Sequence, residues 1–252
     1  MDVVLTIAGS DTSAGAGIQQ DLKTITALGQ YGATVITAVT SQNTVGVQGV
    51  MPVPGEVVAR QIRSVMDDLN VRAIKIGMIP TLEVARAIVV TLSDSKYRIA
   101  EDSSLLPIVW DPVMISTSGT RLMAEECISY LQENLAPLCM LITPNLPESK
   151  LFNEPYRANM LIKGGHAEGE EMTDTLLLLS GETYQYTECR IDSQNLHGTG
   201  CTLSSAIASC LAQGLSLPEA VGEAKQYLTE AIRAGRDLHI GHGNGPLGIP
   251  RR

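Results

Sequence analysis

What most narrows the fold of this chain is an alternation of short apolar runs with stretches whose apolar residues fall at helical spacing. Val3–Ala8 is such a run and ends in Gly9-Ser10-Asp11. Ile18, Leu22, Ile25 and Leu28 then recur at helical spacing and stop at Gly29. Thr34–Val39 is β-branched and strand-like, and after Pro54 the residues Val58, Ile62, Val65 and Leu69 share one helical face. The exchange repeats through Ala73–Ile76, a helix marked by Val84, Ile88 and Leu92, a strand Leu106–Trp110, a helix marked by Ala124, Ile128, Leu131 and Leu135, and a strand Met140–Ile142. Strands alternating with amphipathic helices predict βαβ units and a mostly parallel sheet covered on both faces, an α/β fold. After Met160–Ile162 the pattern changes: Thr175–Leu179 and Thr183–Tyr186 flank Ser180-Gly181-Glu182 as a hairpin. Two helices, about 202–213 and 218–236, end the chain. No internal repeat or low-complexity linker interrupts the 252 residues, so 1–252 is expected to form a single domain.

Charge and composition then limit the partners. Hydrophobic residues at 44% and charged residues at 18% supply a full core and exclude a disordered chain. The formal net charge is −9, with no Lys/Arg cluster, and aromatics are 4%, with one Trp and one Phe. Neither duplex nor single-stranded nucleic acid is an expected partner. A bound phosphate would have to be held by backbone N–H groups and a few chosen cations. No apolar stretch reaches membrane-spanning length, and residues 1–10 read as a first strand rather than a signal peptide, so no membrane is expected. The five cysteines are odd in number, widely spaced and without CxxC pairs, which argues for a reducing, cytoplasmic setting and against a disulfide framework or structural zinc.

The motifs gather at predicted strand ends, where open α/β sheets bind ligands. The first strand runs into Gly9-Ser10-Asp11-Thr12-Ser13-Ala14-Gly15-Ala16-Gly17, with Asp21 one turn into the next helix. Small residues there let a ligand approach the backbone; an ordinary βα turn reads the same way. Asp111-Pro112-Val113-Met114 and Pro144-Asn145-Leu146-Pro147-Glu148 each follow a buried strand. Together they offer oxygen ligands suited to Mg2+, although each alone could be a cap or a turn. Lys163-Gly164-Gly165-His166 places a lysine after a strand, either solvated or reaching a polyphosphate. The strongest signal is His197-Gly198-Thr199-Gly200-Cys201-Thr202-Leu203-Ser204-Ser205, a glycine turn opening an Ala-rich helix. Successive N–H groups at the positive end of a helix dipole make an anion site. Cys201 falls at that helix start, where the dipole lowers a thiol pKa and a bound phosphate raises it. His197 reads as a turn residue, and His239 and His242 as surface residues. A literal GxGxxG at Gly243–Gly248 has no helix after it and reads as coincidence.

These pieces, in this order, resemble the ribokinase-like kinases, specifically the hydroxymethylpyrimidine/phosphomethylpyrimidine kinases of thiamine biosynthesis. The resemblance is carried by LTIAGSDTSAGAGIQQDLKTITALGQYG, TAVTSQNTVGVQ, IKIGM, DPVM, TSG, TPNLPE, LIKGGH and HGTGCTLSSAIA, which span nearly the whole chain. It implies a three-layer α/β sandwich and phosphoryl transfer from ATP, with Mg2+, to a pyrimidine hydroxymethyl group and to its monophosphate. By the same resemblance, Gly9, Asp21, Gln42, Met78 and Val113 line the substrate pocket. Gln42 reads the aminopyrimidine edge, since a carboxamide both donates and accepts. Asp111 and the Asn145/Glu148 pair hold Mg2+, mainly through water, and Asn145 and Lys163 meet the nucleotide. Gly198, Thr199 and Gly200 form the anion hole, and Cys201 stands where more distant sugar kinases carry an Asp base. Relatives of this fold commonly dimerise, so a homodimer is also implied.

Two departures qualify the resemblance. The family's SGGAG is here Ser13-Ala14-Gly15-Ala16-Gly17, a mild change. The stretch from Glu148 to Lys163 is too short for the helix that relatives place there. A lost helix would bare one face of the sheet, which favours residues missing from the sequence between those points. Two other functions share the pattern: a pyridoxal/pyridoxine kinase, and a non-catalytic relative that kept the pocket. The complete set of metal and anion-hole residues argues against the second.

Overall fold

The computed structural model describes residues 1–98, 105–114, 123, 125–165 and 171–250. The Thr117-Ser118-Gly119 stretch, Ala124 and His166 lie outside them. The elements follow in the order β1 (Val3–Ser10), α1 (Gly17–Ala27), β2 (Tyr31–Asn43), β3 (Gly46–Pro52), α2 (Gly55–Met66), β4 (Val71–Ile76), α3 (Leu82–Leu92), β5 (Ile108–Trp110) and α4 (Glu125–Asn134). Then come β6 (Leu141–Ile142), α5 (Leu146–Ser149), β7 (Asn159–Ile162), β8 (Glu171–Leu177), β9 (Thr183–Cys189), α6 (Thr199–Ala212) and α7 (Leu217–Gly235). All nine described strands join one sheet in the order β3-β2-β1-β4-β5-β6-β7-β8-β9. The six from β2 to β7 are parallel; β3 and the β8–β9 hairpin run antiparallel at the two edges.

The parity of the strands builds two cores. Leu5, Ile7, Ile74, Ile76, Ile108, Trp110 and Ile142 pack under α2, α3 and α4 through Val58, Ile62, Val84, Ile88 and Leu131. Their alternates Val4, Ala73, Val109, Leu141 and Leu161 pack under α1, α6 and α7. This is the mostly parallel sheet with helices on both faces that the alternation predicts. Helix α6 lies between α1 and α7, and its Ser204, Ser205, Ala206, Ala208 and Ser209 are all buried. Small side chains let it sit close to the sheet.

Three features were not read from the sequence. β2 runs on to Asn43, and β3, unmarked by any apolar alternation, pairs with that extension as an edge strand. Between β6 and β7 lie the single turn of α5 and the loop 150–158. Phe152 and Ala158, both buried, cover the sheet face there, with the Phe152 ring edge-on to Trp110 at 5.7 Å between centroids. The glycines of the literal GxGxxG serve packing: a Cβ on Gly243, Gly245 or Gly248 would lie 2.2, 1.9 or 2.4 Å from Thr44, Asn195 or Ala234.

A buried polar cluster lies within the α1/α6 core. Lys75, between Ile74 and Ile76, donates to both Asp21 oxygens at 2.8 and 2.9 Å, and neither side chain is exposed at all. Thr6 and Ser205 donate to the same carboxylate, each at 2.6 Å. Burial alone would push the Lys75 ammonium down, but Asp21 beside it holds it above the usual lysine range. Removing one partner of such a pair strands a buried charge. Lys75→Met should therefore lower the unfolding free energy by about 3–5 kcal/mol, with Asp21→Asn in the same chain recovering part of the loss. Urea denaturation of the three proteins checks this; a Lys75→Met protein as stable as wild type would contradict a charged pair.

Candidate functional site

Because the central strands are parallel, their carboxyl ends open on one side of the sheet, and the loops after β1, β5 and β7 meet the first turn of α6 there. Gly198 caps that helix in the left-handed region at φ 90°, and a Cβ on it would lie 2.0 Å from the Gly15 carbonyl oxygen. Only glycine fits, and the contact locks the α6 turn to the loop after β1. Within the turn the Thr199 N–H goes to the Leu196 carbonyl at 3.3 Å. The N–H groups of Gly200 and Cys201 have no acceptor among the described residues. The Ser204 hydroxyl donates to the Gly200 carbonyl at 2.8 Å and braces the turn.

Two chemical groups face Gly200. A Cβ there would lie 3.0 Å from Asp111 Oδ2 and 3.6 Å from Lys163 Nζ. Lys163 donates to Asp111 Oδ1 at 2.7 Å, and Thr143 donates to the same oxygen at 3.0 Å. Asn145 and Lys163 form a parallel bridge, which sets the β6 and β7 loops side by side. Asn145 caps α5 through a reciprocal box: its side chain accepts from the Glu148 N–H at 2.8 Å, and Glu148 Oε2 accepts from its N–H at 2.9 Å. Burial pushes the Glu148 carboxyl up, the Lys163 charge draws it down, and Asp111 pushes it up again, for a net rise. Burial would lower Lys163, but Asp111 and Glu148 hold it above the usual range. One ammonium thus sits between two carboxylates.

The Cys201 thiol takes a hydrogen bond from the Gly17 N–H, so it lies where α1 and α6 both begin. Burial raises its pKa, Lys75 lowers it, and Asp21 and Asp111 raise it, leaving it pushed up to about 11. The helix dipole does not win here; the group is a thiol at neutral pH.

The substrate-side residues separate into two sets. Gly9 and Met78 touch, since a Cβ on Gly9 would lie 2.9 Å from Met78 Sδ, and Thr37 fixes the Met78 carbonyl at 2.7 Å. Gln42 stands at the end of β2, 3.2 Å from His197 Nε2, and Val113 is half-buried after β5. Asp21 is a correction: with no exposed surface and both oxygens taken by Lys75, Thr6 and Ser205, it has nothing to offer a substrate. It stiffens the floor beneath Cys201 instead.

Sequence reasoning passed over Asp11, Lys75 and His197. Asp11 is buried and accepts from the Ser13 N–H and hydroxyl, the Ala16 N–H and His197 at 2.8–2.9 Å. Burial would raise its carboxyl, but the bonds from His197, Ser13 and Ala16 outweigh that and hold it at about 2. The one available signal was Lys75 itself, a charge flanked on both sides by isoleucine inside a strand.

A mostly parallel sheet between two helical layers, with its phosphate-type turn at the start of a buried helix, defines the ribokinase-like class of α/β proteins. A family model for phosphomethylpyrimidine kinase matches residues 11–158 and 152–248, and the chain belongs to that family. The two matched pieces meet in the short connection between β6 and β7. The chain is 44% identical to the hydroxymethylpyrimidine/phosphomethylpyrimidine kinase of Rhizobium meliloti, over 97% of this chain and 96% of that one. It is 42% identical to a thiamine biosynthesis bifunctional protein of Geobacter sulfurreducens, over 95% of this chain and 51% of that one. In structure it resembles Bacillus subtilis pyridoxal kinase, solved as an ADP complex, with a TM-score of 0.82 and 31% identity over 98% of this chain and 97% of that one.

The raised Cys201 thiol is directly testable. At pH 8 a pKa of about 11 leaves a thiolate fraction about a hundredfold below that of an ordinary cysteine thiol. Iodoacetamide should therefore label Cys201 at least that much more slowly than a small-molecule thiol, as followed by peptide mass spectrometry. Labelling at the free-thiol rate would mean that the dipole, not burial, governs the group.

Proposed function

We propose that the chain phosphorylates 4-amino-5-hydroxymethyl-2-methylpyrimidine from ATP, and then its monophosphate, in the thiamine pathway. The observation that carries this reading is the Asp111–Lys163 pair held against Gly200 at the start of α6. A γ-phosphoryl group set there would meet the free N–H groups of Gly200 and Cys201, the helix dipole and one ammonium. Family membership supplies the acceptor class.

The residues present fit Mg2+. Asp111 Oδ2 accepts no hydrogen bond among the described residues, and the Glu148 carboxylate is close enough to act on Asp111. Hard oxygen donors with room for water suit this ion, which would neutralise phosphate charge when bound. Asp111 would hold it directly or through water, and Glu148 and Asn145 through water. Lys163 would hold the nucleotide phosphates.

In the reaction the hydroxymethyl oxygen forms a bond to the γ-phosphorus as the bond to the ADP oxygen breaks. The transition state is loose, so the acceptor needs little deprotonation before attack, and positioning and charge neutralisation carry the rate. The Cys201 thiol then contacts the reacting group as a hydrogen-bond donor, and the alcohol proton leaves late, to the transferred phosphoryl oxygens or to water. A reducing cytoplasmic setting suits the five free cysteines.

Pyridoxal is the competing acceptor, given the likeness to a pyridoxal kinase. Gln42 favours the pyrimidine: its carboxamide pairs with a ring nitrogen and exocyclic amine, whereas pyridoxal offers a phenolic oxygen and an aldehyde. An unpaired buried polar group costs about 1–3 kcal/mol, roughly a tenfold to hundredfold preference.

ADP release measured side by side on the pyrimidine alcohol, its monophosphate and pyridoxal tests the proposal. Turnover on the pyrimidine pair at least tenfold above pyridoxal in kcat/KM is expected; a ratio near one would put the pyridoxal reading ahead. Gly200→Val should fold and lose turnover, because its side chain would press on Asp111 and Lys163 where the phosphate belongs. Gly200 does not have a positive φ, so the loss cannot come from backbone strain. Near-normal turnover in that variant would remove the anion hole from the mechanism.

A further inference from the structure

The loop after β1 carries a carboxylate that the phosphoryl-transfer machinery does not use. Asp11 Oδ2 lies 2.8 Å from His197 Nε2, and the same ring nitrogen lies 3.2 Å from the Gln42 carboxamide. The imidazole is buried on a floor made by Gly15, where a Cβ would lie 2.3 Å from the ring. On its other side the Gln42 carboxamide lies 3.2 Å from Thr40 Oγ1, and the Thr40 hydroxyl is 2.9 Å from the Ser10 carbonyl. These contacts form one chain: Asp11, His197, Gln42, Thr40, Ser10.

Hydrogen-bond valence favours one arrangement of that chain. The Asp11 carboxylate already accepts from Ser13 and Ala16 and is an acceptor only, so His197 Nε2 carries the proton that faces it. An Nε2 with a proton cannot accept from an amide. With the Gln42 nitrogen turned toward His197, two N–H groups would oppose each other. In that orientation the single Thr40 proton would also have to serve both Gln42 and Ser10. A half-turn of the carboxamide removes the N–H opposition and frees the Thr40 proton for Ser10, to which Thr40 then donates while accepting from the Gln42 nitrogen. The one proton left to be shared is that of His197 Nε2, directed at Asp11 Oδ2 at 2.8 Å with the Gln42 oxygen as its second, longer acceptor at 3.2 Å.

We propose that Asp11 and His197 are positioning residues that fix the carboxamide of Gln42, and so set the donor and acceptor pattern by which the pocket selects its substrate. The oriented carboxamide keeps one N–H and one oxygen lone pair free. Those are the two groups that a ring nitrogen beside an exocyclic amine requires. A freely turning carboxamide would meet a phenolic oxygen equally well, so selection depends on the lock as well as on Gln42. The sequence motif before the glycine turn thereby has a second role: Gly198 onward handles phosphate, and His197 handles substrate identity. The inference rests on the proposed pyrimidine reading for its consequence, but not for its hydrogen bonds.

The hydrogen bonds are read without any substrate. In protein carrying 15N-labelled histidine, the His197 ring signals, assigned by their loss in His197→Gln, should show a proton on Nε2. A ring with a bare Nε2 and a protonated Nδ1 would overturn the proposal. The consequence is read from kcat/KM for the aminopyrimidine over that for pyridoxal. His197→Phe should lower this ratio at least tenfold, chiefly through a higher KM for the pyrimidine. His197→Gln, whose amide can restore a donor at that reach, should recover most of it. ADP affinity should stay within a factor of three in both variants, which separates loss of orientation from damage to the glycine turn. A ratio unchanged in a His197→Phe protein that still binds ADP would overturn the proposal. Should His197→Phe not fold, the nitrogen signals of the wild-type protein decide alone. A wild-type enzyme inactive on the pyrimidine, with Nε2 protonated, would sink the function and leave the lock standing.

Discussion

The buried contact between Lys75 and Asp21 ties four elements of this structure to one point. It joins β4 to α1 directly, and through Thr6 and Ser205 it adds β1 and α6. Four elements thus agree on one position, immediately beneath Cys201, whose thiol feels both charges. Hydrophobic packing alone is tolerant of small slides between layers. A charge pair with no exposed surface is not, since any displacement leaves an ion uncompensated in a poor solvent. The site above inherits that precision: α1 and α6, whose first turns meet where the Gly17 N–H reaches Cys201, are tied one turn further in through Ser205 and Asp21.

The same logic explains how a chain of net charge −9 can receive a polyphosphate. The two buried lysines at the site are each tied to a carboxylate: Lys75 to Asp21, and Lys163 to Asp111 with Glu148 beside it. Attraction must come from what does not count in the net charge. The unpaired N–H groups of Gly200 and Cys201 and the dipole of α6 act over a single turn, at short range and in a fixed direction. In the proposed reading a divalent ion would complete the neutralisation, and Thr143 and Lys163 hold the Asp111 carboxylate that would face it. The arrangement favours a ligand that brings its own metal over a bare anion.

Much of this was legible in the sequence. Parallel strands buried on both faces announce themselves as unbroken apolar runs, and amphipathic helices by their period, so the layers and the end of the sheet that carries the site followed from residue order. The glycine turn before α6 was legible because Gly198 and Gly200 stand where side chains would collide with Gly15 or Asp111. What stayed hidden depends on side chains from distant elements. Nothing local distinguishes Asp21, sealed against a lysine fifty-four residues away, from a carboxylate facing a pocket. The edge strand β3 lacks an apolar alternation because most of it faces solvent, and pairing with β2 holds it instead. His197 looked like a turn residue because its partners, Asp11 and Gln42, lie at the opposite end of the chain.

That distance in sequence is also what makes the network around His197 durable. Asp11 is held at about 2 by bonds that only the folded loop provides. A carboxyl whose folded pKa lies below its unfolded value stabilises the fold at every pH above the unfolded value, near 4. The stabilisation is lost as pH falls toward the folded value. Over the range where an enzyme of this kind works, Asp11 is therefore an ion, and His197 always has an acceptor facing Nε2. The carboxamide of Gln42 does not choose its orientation afresh with each substrate. It is chosen by the fold, through a loop that also seats the phosphate turn on Gly15, so that recognition of the acceptor and grip on the donor share one piece of backbone.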